Sequence, residues 1–179
     1  MTTRKRKTTP EPVKKMQIPA ELRKYGNGRI PDLELHDIIG GGRLWGQAAF
    51  WWNVMATEAR KAKIDLRAVS EGYRSYARQE ALFLQRYSQK PTGRIPEVTR
   101  RWNGVTWYLK RGMSPCASPG TSPHGWGLAQ DIEVPTRTYN WMCKNAPFYG
   151  FYLQGKSKLP NGKPNPEFEP WHWQFCNAT

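Results

Sequence analysis

The sequence lacks anything that would place it in a membrane: no stretch of its 179 residues approaches the roughly 20 consecutive apolar residues of a spanning helix. It is also short of acid, with 14 Asp and Glu against 28 Lys and Arg, a formal net charge of +14 and a pI near 10.0. Its three cysteines, Cys116, Cys143 and Cys176, have no close paired spacing. That excludes a zinc knuckle and a disulfide framework, and they read as buried or half-buried thiols unless the fold happens to bring two together. Gly40-Gly41-Gly42 is not followed by the Lys-Ser/Thr of a phosphate loop, so nucleotide binding has no support there. The basic start, Met1 to Lys7, leads into Thr8-Thr9-Pro10 with no apolar h-region behind it, and no conventional secretory signal is expected. No internal repeat is visible.

What is present suits one soluble globular domain with an aromatic core: 38% hydrophobic residues, nine tryptophans and a mean hydropathy of -0.78. The length allows one such domain and is short for two. Much of the excess positive charge falls in Arg4, Lys5, Arg6, Lys7, Lys14 and Lys15, so residues 1–18 read as a flexible basic arm and residues 19–179 as the folded domain. The charge predicts attraction to a polyanion, which can be nucleic acid or an anionic bacterial cell wall.

Apolar spacing predicts a helix over residues 46–63, with Ala49, Trp52, Ala56 and Ala59 on one face, and places the cluster Phe50-Trp51-Trp52 in the core. Residues 64–70 read as a short strand that delivers the chain to Glu71-Gly72-Tyr73-Arg74-Ser75, where Ser75 can cap a helix running to about Tyr87. Residues 88–120, rich in Pro, Gly and Arg, read as a long connection with a short helix over 96–102, either a wall of a substrate cleft or a variable surface insertion. Residues 128–134 alternate as a strand, Thr136 or Thr138 can cap a helix through Lys144, residues 146–153 return as a strand, 155–167 form a hairpin loop and 171–176 a closing strand.

The chemistry concentrates in two short segments. Ser122-Pro-His124-Gly-Trp-Gly-Leu-Ala-Gln-Asp131 brings an imidazole and a carboxylate into a glycine-rich setting, and Glu169-Pro-Trp-His172 supplies a second imidazole with a carboxylate three residues before it. The third histidine, His36 beside Asp37, lies outside both and reads as a surface or hydrogen-bonded residue. Two histidines and one aspartate make a three-ligand zinc site with an open fourth position, the catalytic rather than the structural pattern. His124, Asp131 and His172 are therefore the expected ligands of one zinc per chain. Glu169 is free to move protons as the base that activates a water. Arg74, at a strand-to-helix junction, can hold a substrate carbonyl oxygen as charge develops on it.

The spacing Ser122-x-His124-x-x-Gly127-x-Ala129-x-Asp131 followed by Glu169-x-x-His172 resembles the signature of the zinc D-alanyl-D-alanine carboxypeptidases and dipeptidases, a group that includes vancomycin-resistance peptidases and bacteriophage endolysins and is related to the hedgehog-type zinc domains. Gly72-Tyr73-Arg74-Ser75-Tyr76-x-x-Gln79 is similar in its upstream place. Over roughly residues 40 to 176 the resemblance implies an α+β fold with a central antiparallel sheet flanked by helices and a single zinc site in a cleft. It implies metal binding by His124, Asp131 and His172, catalysis by Glu169 and Arg74, and substrate contact by Tyr73, Gln79 and Ser122, although a turn-forming serine also explains Ser122. The basic arm and residues 88–120 depart from the pattern.

The expected function is hydrolysis of peptidoglycan stem peptides, as a D-alanyl-D-alanine carboxypeptidase or an L-alanyl-D-glutamate endopeptidase. The expected setting is a phage endolysin or virion-associated lysin, in the host cytoplasm before lysis or in the virion, acting at a wall that its basic surface also attracts. No specific nucleic acid is expected as partner. Two other readings compete: a zinc-holding wall-binding module without catalysis, which Glu169 argues against, and a basic nucleic-acid-binding protein, which leaves both motifs unexplained.

Overall fold

The computed structural model describes residues 10–176. Its centre is a three-stranded antiparallel sheet in the order β6 (Ala129–Asp131), β8 (His172–Phe175), β7 (Phe151–Leu153). All four residues of β8 are buried, as expected for the middle strand of a sheet covered on both faces. Helix α2 (Gly46–Lys61) covers one face, burying Ala48, Ala49, Trp52, Met55, Ala56 and Ala59, a spacing that keeps one side of a 3.6-residue helix on the core. Trp52 meets Phe151 edge-on at 5.1 Å, and Phe151 meets Phe175 at 5.2 Å. Its flanking aromatics are not core: Phe50 is 60% and Trp51 38% exposed, because they fall on the helix's outer face. Beyond the helix, after the cap residue Ala62, Lys63 takes φ 58; the amides of Lys63 and Ile64 turn back to Arg60 O and Ala59 O, a Schellman closure with lysine where glycine is usual. Helix α4 (Thr136–Asn145) buries Thr138, Met142 and Cys143. The short helix α1 (Ala20–Arg23) adds Leu22 to the same core.

Around this centre lie two further sheets. The hairpin β1 (Leu35–Asp37) and β2 (Arg43–Trp45) closes through the three glycines 40–42, all at positive φ. A second lobe consists of α3 (Tyr76–Arg86) and the sheet β3 (Tyr87–Ser88), β5 (Val105–Leu109), β4 (Thr99–Trp102), and its core is Phe83, Tyr87 and Leu109 packed by Trp102 and Trp107. Phe83 stacks on Tyr87 at 4.5 Å. Ser75 caps α3, its Oγ accepting from the Arg78 amide at 3.2 Å.

Several expected elements are revised. The helix expected over residues 96–102 is strand β4, and the supposed connection is a hairpin. Asn103 and Gly104, both at positive φ, make the Asn-Gly turn whose twist matches antiparallel strands. The strand expected over 64–70 makes only one bridge, Ala68 to Ile132, and otherwise lies beside β6 through Val69 N to Asp131 O and Glu133 N to Arg67 O. Residues Ala146–Tyr149 form a 3-10 turn closed by Gly150 at φ 82, so only Phe151–Leu153 of the expected strand is extended. The three cysteines are free thiols.

The expected basic arm divides in two. Residues 1–9 lie outside the described residues. Residues 10–18 are laid along the domain: Leu153 N donates to Pro12 O at 2.8 Å, Val13 bridges Leu153, and Met16 and Ile18 pack on the core. Glu11 fastens this strap, accepting from Tyr139 Oη at 3.1 Å and from Ser157 N at 2.9 Å. Partial burial raises the Glu11 pKa, but bonds from Ser157 and Tyr139 outweigh it and lower the carboxyl below its ordinary value. A lowered carboxyl stabilises the fold above its unfolded pKa and loses that contribution as pH falls through the folded value. Glu11→Gln should therefore cost about 1 kcal/mol at pH 7, lowering Tm by about 2–4 °C. Thermal melts against pH should show the gap between the two proteins closing in acid. An unchanged Tm at pH 7 would mean the strap is not fastened there.

Candidate metal centre

Three distant segments supply the donors. His124 stands in a 3-10 turn, Pro123–Trp126, that begins at Ser122 and ends at Gly127. Gly127 takes φ 64, and a Cβ there would come within 2.8 Å of the Trp45 amide. Gly125 is equally constrained, since a Cβ would run into the Asn27 side chain. Asn27 Nδ2 donates to Ser122 O at 2.7 Å and Gly28 N donates to Gly125 O at 2.7 Å, so the glycines of the motif let two loops meet backbone to backbone. Asp131 ends β6 and His172 begins β8, directly opposite one another. The His172 amide bonds to Glu169 O, and the Asp131 carbonyl accepts from Val69 N. The pair therefore exchanges no main-chain bonds with each other, the arrangement in which facing side chains approach closest.

The donor atoms of His124, Asp131 and His172 all lie within 4.8 Å of one another, and both imidazoles are buried. His124 Nδ1 is 2.8 Å from Gly72 O. A carbonyl can only accept, so Nδ1 carries the proton and, in the neutral ring, Nε2 presents a lone pair. That lone pair faces Asp131 Oδ1 at 3.4 Å. Two acceptors held face to face in a buried site call for a cation between them. His172 Nδ1 lies 2.8 Å from the same Oδ1, and its Nε2 lies 3.1 Å from Gln174 Nε2. Ser70 Oγ donates to Asp131 Oδ2 at 2.8 Å, leaving Oδ1 to the imidazoles. Burial pushes the Asp131 carboxyl up, but when protons occupy the facing imidazole nitrogens, the hydrogen bonds and charge of His124 and His172 prevail and hold it far below the usual carboxylate range. Two nitrogens, one ionised oxygen and no thiolate form a donor set suited to zinc with a position left open.

Arg74 is tied to this centre through its backbone, its amide donating to His124 O at 3.0 Å. Its side chain, 11% exposed, donates from Nε to Glu71 Oε1 at 3.2 Å and from Nη1 to Gln79 Oε1 at 3.0 Å. Gln79 is itself buried and donates to Ala117 O at 2.7 Å, so both ends of its amide are committed behind Arg74. Tyr73 packs against the main core, with its hydroxyl near the Ile30 backbone. Ser122 is 3% exposed and its carbonyl opens the turn. Glu169 is exposed in the bend before β8, tied to His172 only through its carbonyl.

Asn27, Ser70 and the Gly72 carbonyl escaped the reading of the sequence. Gly72 lay inside the quoted Gly-Tyr-Arg segment without its carbonyl being singled out and Ser70 stood two residues before it; Asn27 acts through a long-range contact that no local pattern encodes.

A sequence model of the VanY family, D-alanyl-D-alanine carboxypeptidase, matches residues 43–178, a span that holds all three donors and Arg74. YodJ of Bacillus subtilis, which carries a provisional carboxypeptidase name, is 29% identical over 163 residues, 82% of this chain and 52% of that protein. A D-alanyl-D-alanine carboxypeptidase of Enterococcus faecalis is 25% identical over 153 residues, 80% of this chain and 52% of that protein. The chain thus spans about half the length of these curated relatives. Among solved structures, the LD-carboxypeptidase LdcB is similar at 29% identity and TM-score 0.50, over 82% of this chain and 66% of that one. A zinc-bound VanY D,D-pentapeptidase from a VanB-type resistance cassette matches in fold at 20% identity and TM-score 0.54, over 94% of this chain and 87% of that one. With its two histidines and aspartate inside the matched span, the chain belongs to the VanY D-alanyl-D-alanine carboxypeptidase family.

Proposed function

We propose that this chain is a zinc peptidase that hydrolyses the stem peptides of peptidoglycan, as a D-alanyl-D-alanine carboxypeptidase or a close endopeptidase variant, and that it works as a phage-type lysin. The observation that carries the reading is the pair of facing acceptors, His124 Nε2 and Asp131 Oδ1, with His172 Nδ1 on the same oxygen. Family membership supports the substrate class, and the net charge of +14 suits action at an anionic wall.

His124, Asp131 and His172 would hold the ion, which when bound supplies Lewis acidity and makes water acidic enough to act near neutral pH. The chain's own groups do the rest. Asp131 brings the one negative charge of the ligand set, fixed by Ser70. Gly72 O fixes the His124 tautomer. Gln174 can serve His172 in both states: its amide nitrogen donates to Nε2 when Nδ1 carries the proton, and a half-turn of the amide presents oxygen to Nε2–H when Nδ1 gives its lone pair to a metal. Arg74 has two of its five N–H donors engaged by Glu71 and Gln79, which aims the fork and leaves donors for a substrate carbonyl or terminal carboxylate. Gln79 accordingly positions Arg74. Glu169, exposed and joined to His172 through the main chain, is the non-ligand carboxylate that takes the proton from attacking water and passes it to the leaving amine.

Glu169→Gln should lower hydrolysis of a muropeptide by about 10² to 10⁴ while zinc content stays at wild-type level. Turnover equal to wild type would assign the base elsewhere. His172→Ala should lose the zinc, as metal analysis of the purified protein would show. Gln174→Leu should weaken zinc binding by about 10 to 100-fold, whereas Gln174→Glu, a fixed acceptor, should keep it. Equal affinity in Gln174→Leu, measured by competition with a chromogenic chelator, would mean that Gln174 does not orient His172 for the metal.

A further inference from the structure

The lobe of α3 and the β3-β5-β4 sheet carries a charge pattern that the peptidase chemistry does not use. Residues 86–111 hold five arginines, Arg86, Arg94, Arg100, Arg101 and Arg111, with Lys90 and Lys110, against the single acid Glu97. Elsewhere in the described residues Arg43, Arg60, Lys61, Arg67, Arg74 and Arg78 each meet a carboxylate within 4.0 Å, while scattered cations such as Arg23 and Arg137 bond carbonyls. Among the described residues, no cation of residues 86–111 meets a carboxylate so closely. Six of the seven are bonded to main-chain carbonyls instead: Arg86 to Ser114 and Pro115, Arg94 to Met113, Arg100 to Thr99, Arg101 to Gly104, Lys110 to Leu84 and Gln85, Arg111 to Thr92 and Gly93. Glu97 is turned to the Thr92 amide and hydroxyl. A carbonyl fixes a guanidinium without neutralising it, so the lobe keeps its full charge in restrained side chains and loses less freedom when a ligand arrives.

We infer that this lobe is a docking surface for a phosphodiester-linked polyanion of the bacterial wall, placed so that a bound polymer runs up to the peptidase cleft. The identification rests on the reading of the chain as a wall peptidase and gives that site its anchoring partner. Five of the seven cations are arginine, whose planar fork matches phosphate oxygens in pairs. Arg94 and Arg111 line one shallow concavity of about 360 Å³. Tyr87 Oη of the lobe donates to Cys116 O at 3.4 Å and Gln79 Nε2, behind Arg74, donates to the next carbonyl, Ala117 O, at 2.7 Å, so the lobe and the support of Arg74 hold one segment. Ser118 Oγ, on the segment leading to His124, donates to Arg101 O at 3.0 Å. Single-stranded nucleic acid fits less well. Its proteins offer aromatic platforms for bases, whereas the lobe's Trp102 and Trp107 are packed against Phe83 at 5.3 and 5.4 Å and every aromatic residue of the lobe is buried or half-buried.

Titrating the full chain with soluble poly(glycerol phosphate), single-stranded DNA and duplex DNA over a salt series tests this. A triple variant, Lys90→Gln with Arg100→Gln and Arg101→Gln, should bind poly(glycerol phosphate) about tenfold or more weakly, with a salt slope shallower by about two. A charge-matched control, Lys144→Gln with Lys158→Gln and Lys163→Gln, should bind like wild type. Thermal melts and hydrolysis of a soluble stem peptide should be unchanged in both variants. Equal losses in the two variants would mean diffuse charge rather than a surface. Tighter binding of either DNA, or no binding of poly(glycerol phosphate), would likewise overturn the proposal. Because binding is measured without turnover, an enzyme inactive on stem peptides would fail the peptidase reading and leave this result separately decided.

Discussion

The carboxylate of Asp131 sits between two buried imidazoles, and most of the surrounding structure serves to keep it there. Alone, burial would favour its neutral form; it stays ionised because His124 and His172 approach one of its oxygens while Ser70 takes the other. Each imidazole is in turn held from behind, His124 by Gly72 O and His172 by Gln174. The centre therefore depends on the register of β6 with β8, which places Asp131 opposite His172. A slip of one residue would send one of the two side chains to the other face of the sheet. Burying all of β8 under α2 and the rest of the core makes that register costly to lose.

His124 arrives by a different device. No strand holds it; the 3-10 turn at Pro123–Trp126 is positioned by the loop 26–28 on one side and Trp45 on the other. The glycines at 125 and 127 allow both approaches. The same loop bonds the Tyr76 amide through Gly28 O at 2.8 Å, so the start of α3, with Arg74 just before it, is fixed to the turn that carries the ligand. Ligand and arginine thus share one support, although they are 50 positions apart in the sequence.

Much of this was legible in the sequence because local chemistry and tertiary role coincide. The helical face of α2, the Ser75 cap and the alternation into Asp131 each answer to a local pattern of a few residues, and the two short motifs hold the three grouped donors His124, Asp131 and His172. The α+β class with an antiparallel centre was what the family resemblance implied, and the β6-β8-β7 sheet agrees with it. Other features were illegible for physical reasons. Residues 10–18 looked like a solvated arm because they continue the basic run 4–7 without apolar periodicity, while a single carboxylate, Glu11, finds partners 128 and 146 positions away. The hairpin of β4 and β5 did carry a local signal in Asn103-Gly104, but the surrounding Pro, Gly and Arg masked it. The Gly72 carbonyl has no side-chain signature at all.

The molecule divides its labour between a buried, neutralised centre and a lobe whose cations are restrained by carbonyls rather than paired with carboxylates. The central claim is that the three buried donors form one metal site, using Nε2 of His124 and Nδ1 of His172. Anomalous diffraction at the zinc edge from crystals of the zinc-loaded protein tests it most directly. The expected result is a single peak within bonding distance of His124 Nε2, Asp131 Oδ1 and His172 Nδ1, with the remaining position open to solvent. A peak at the cysteines, or ligation of His172 through Nε2, would contradict it.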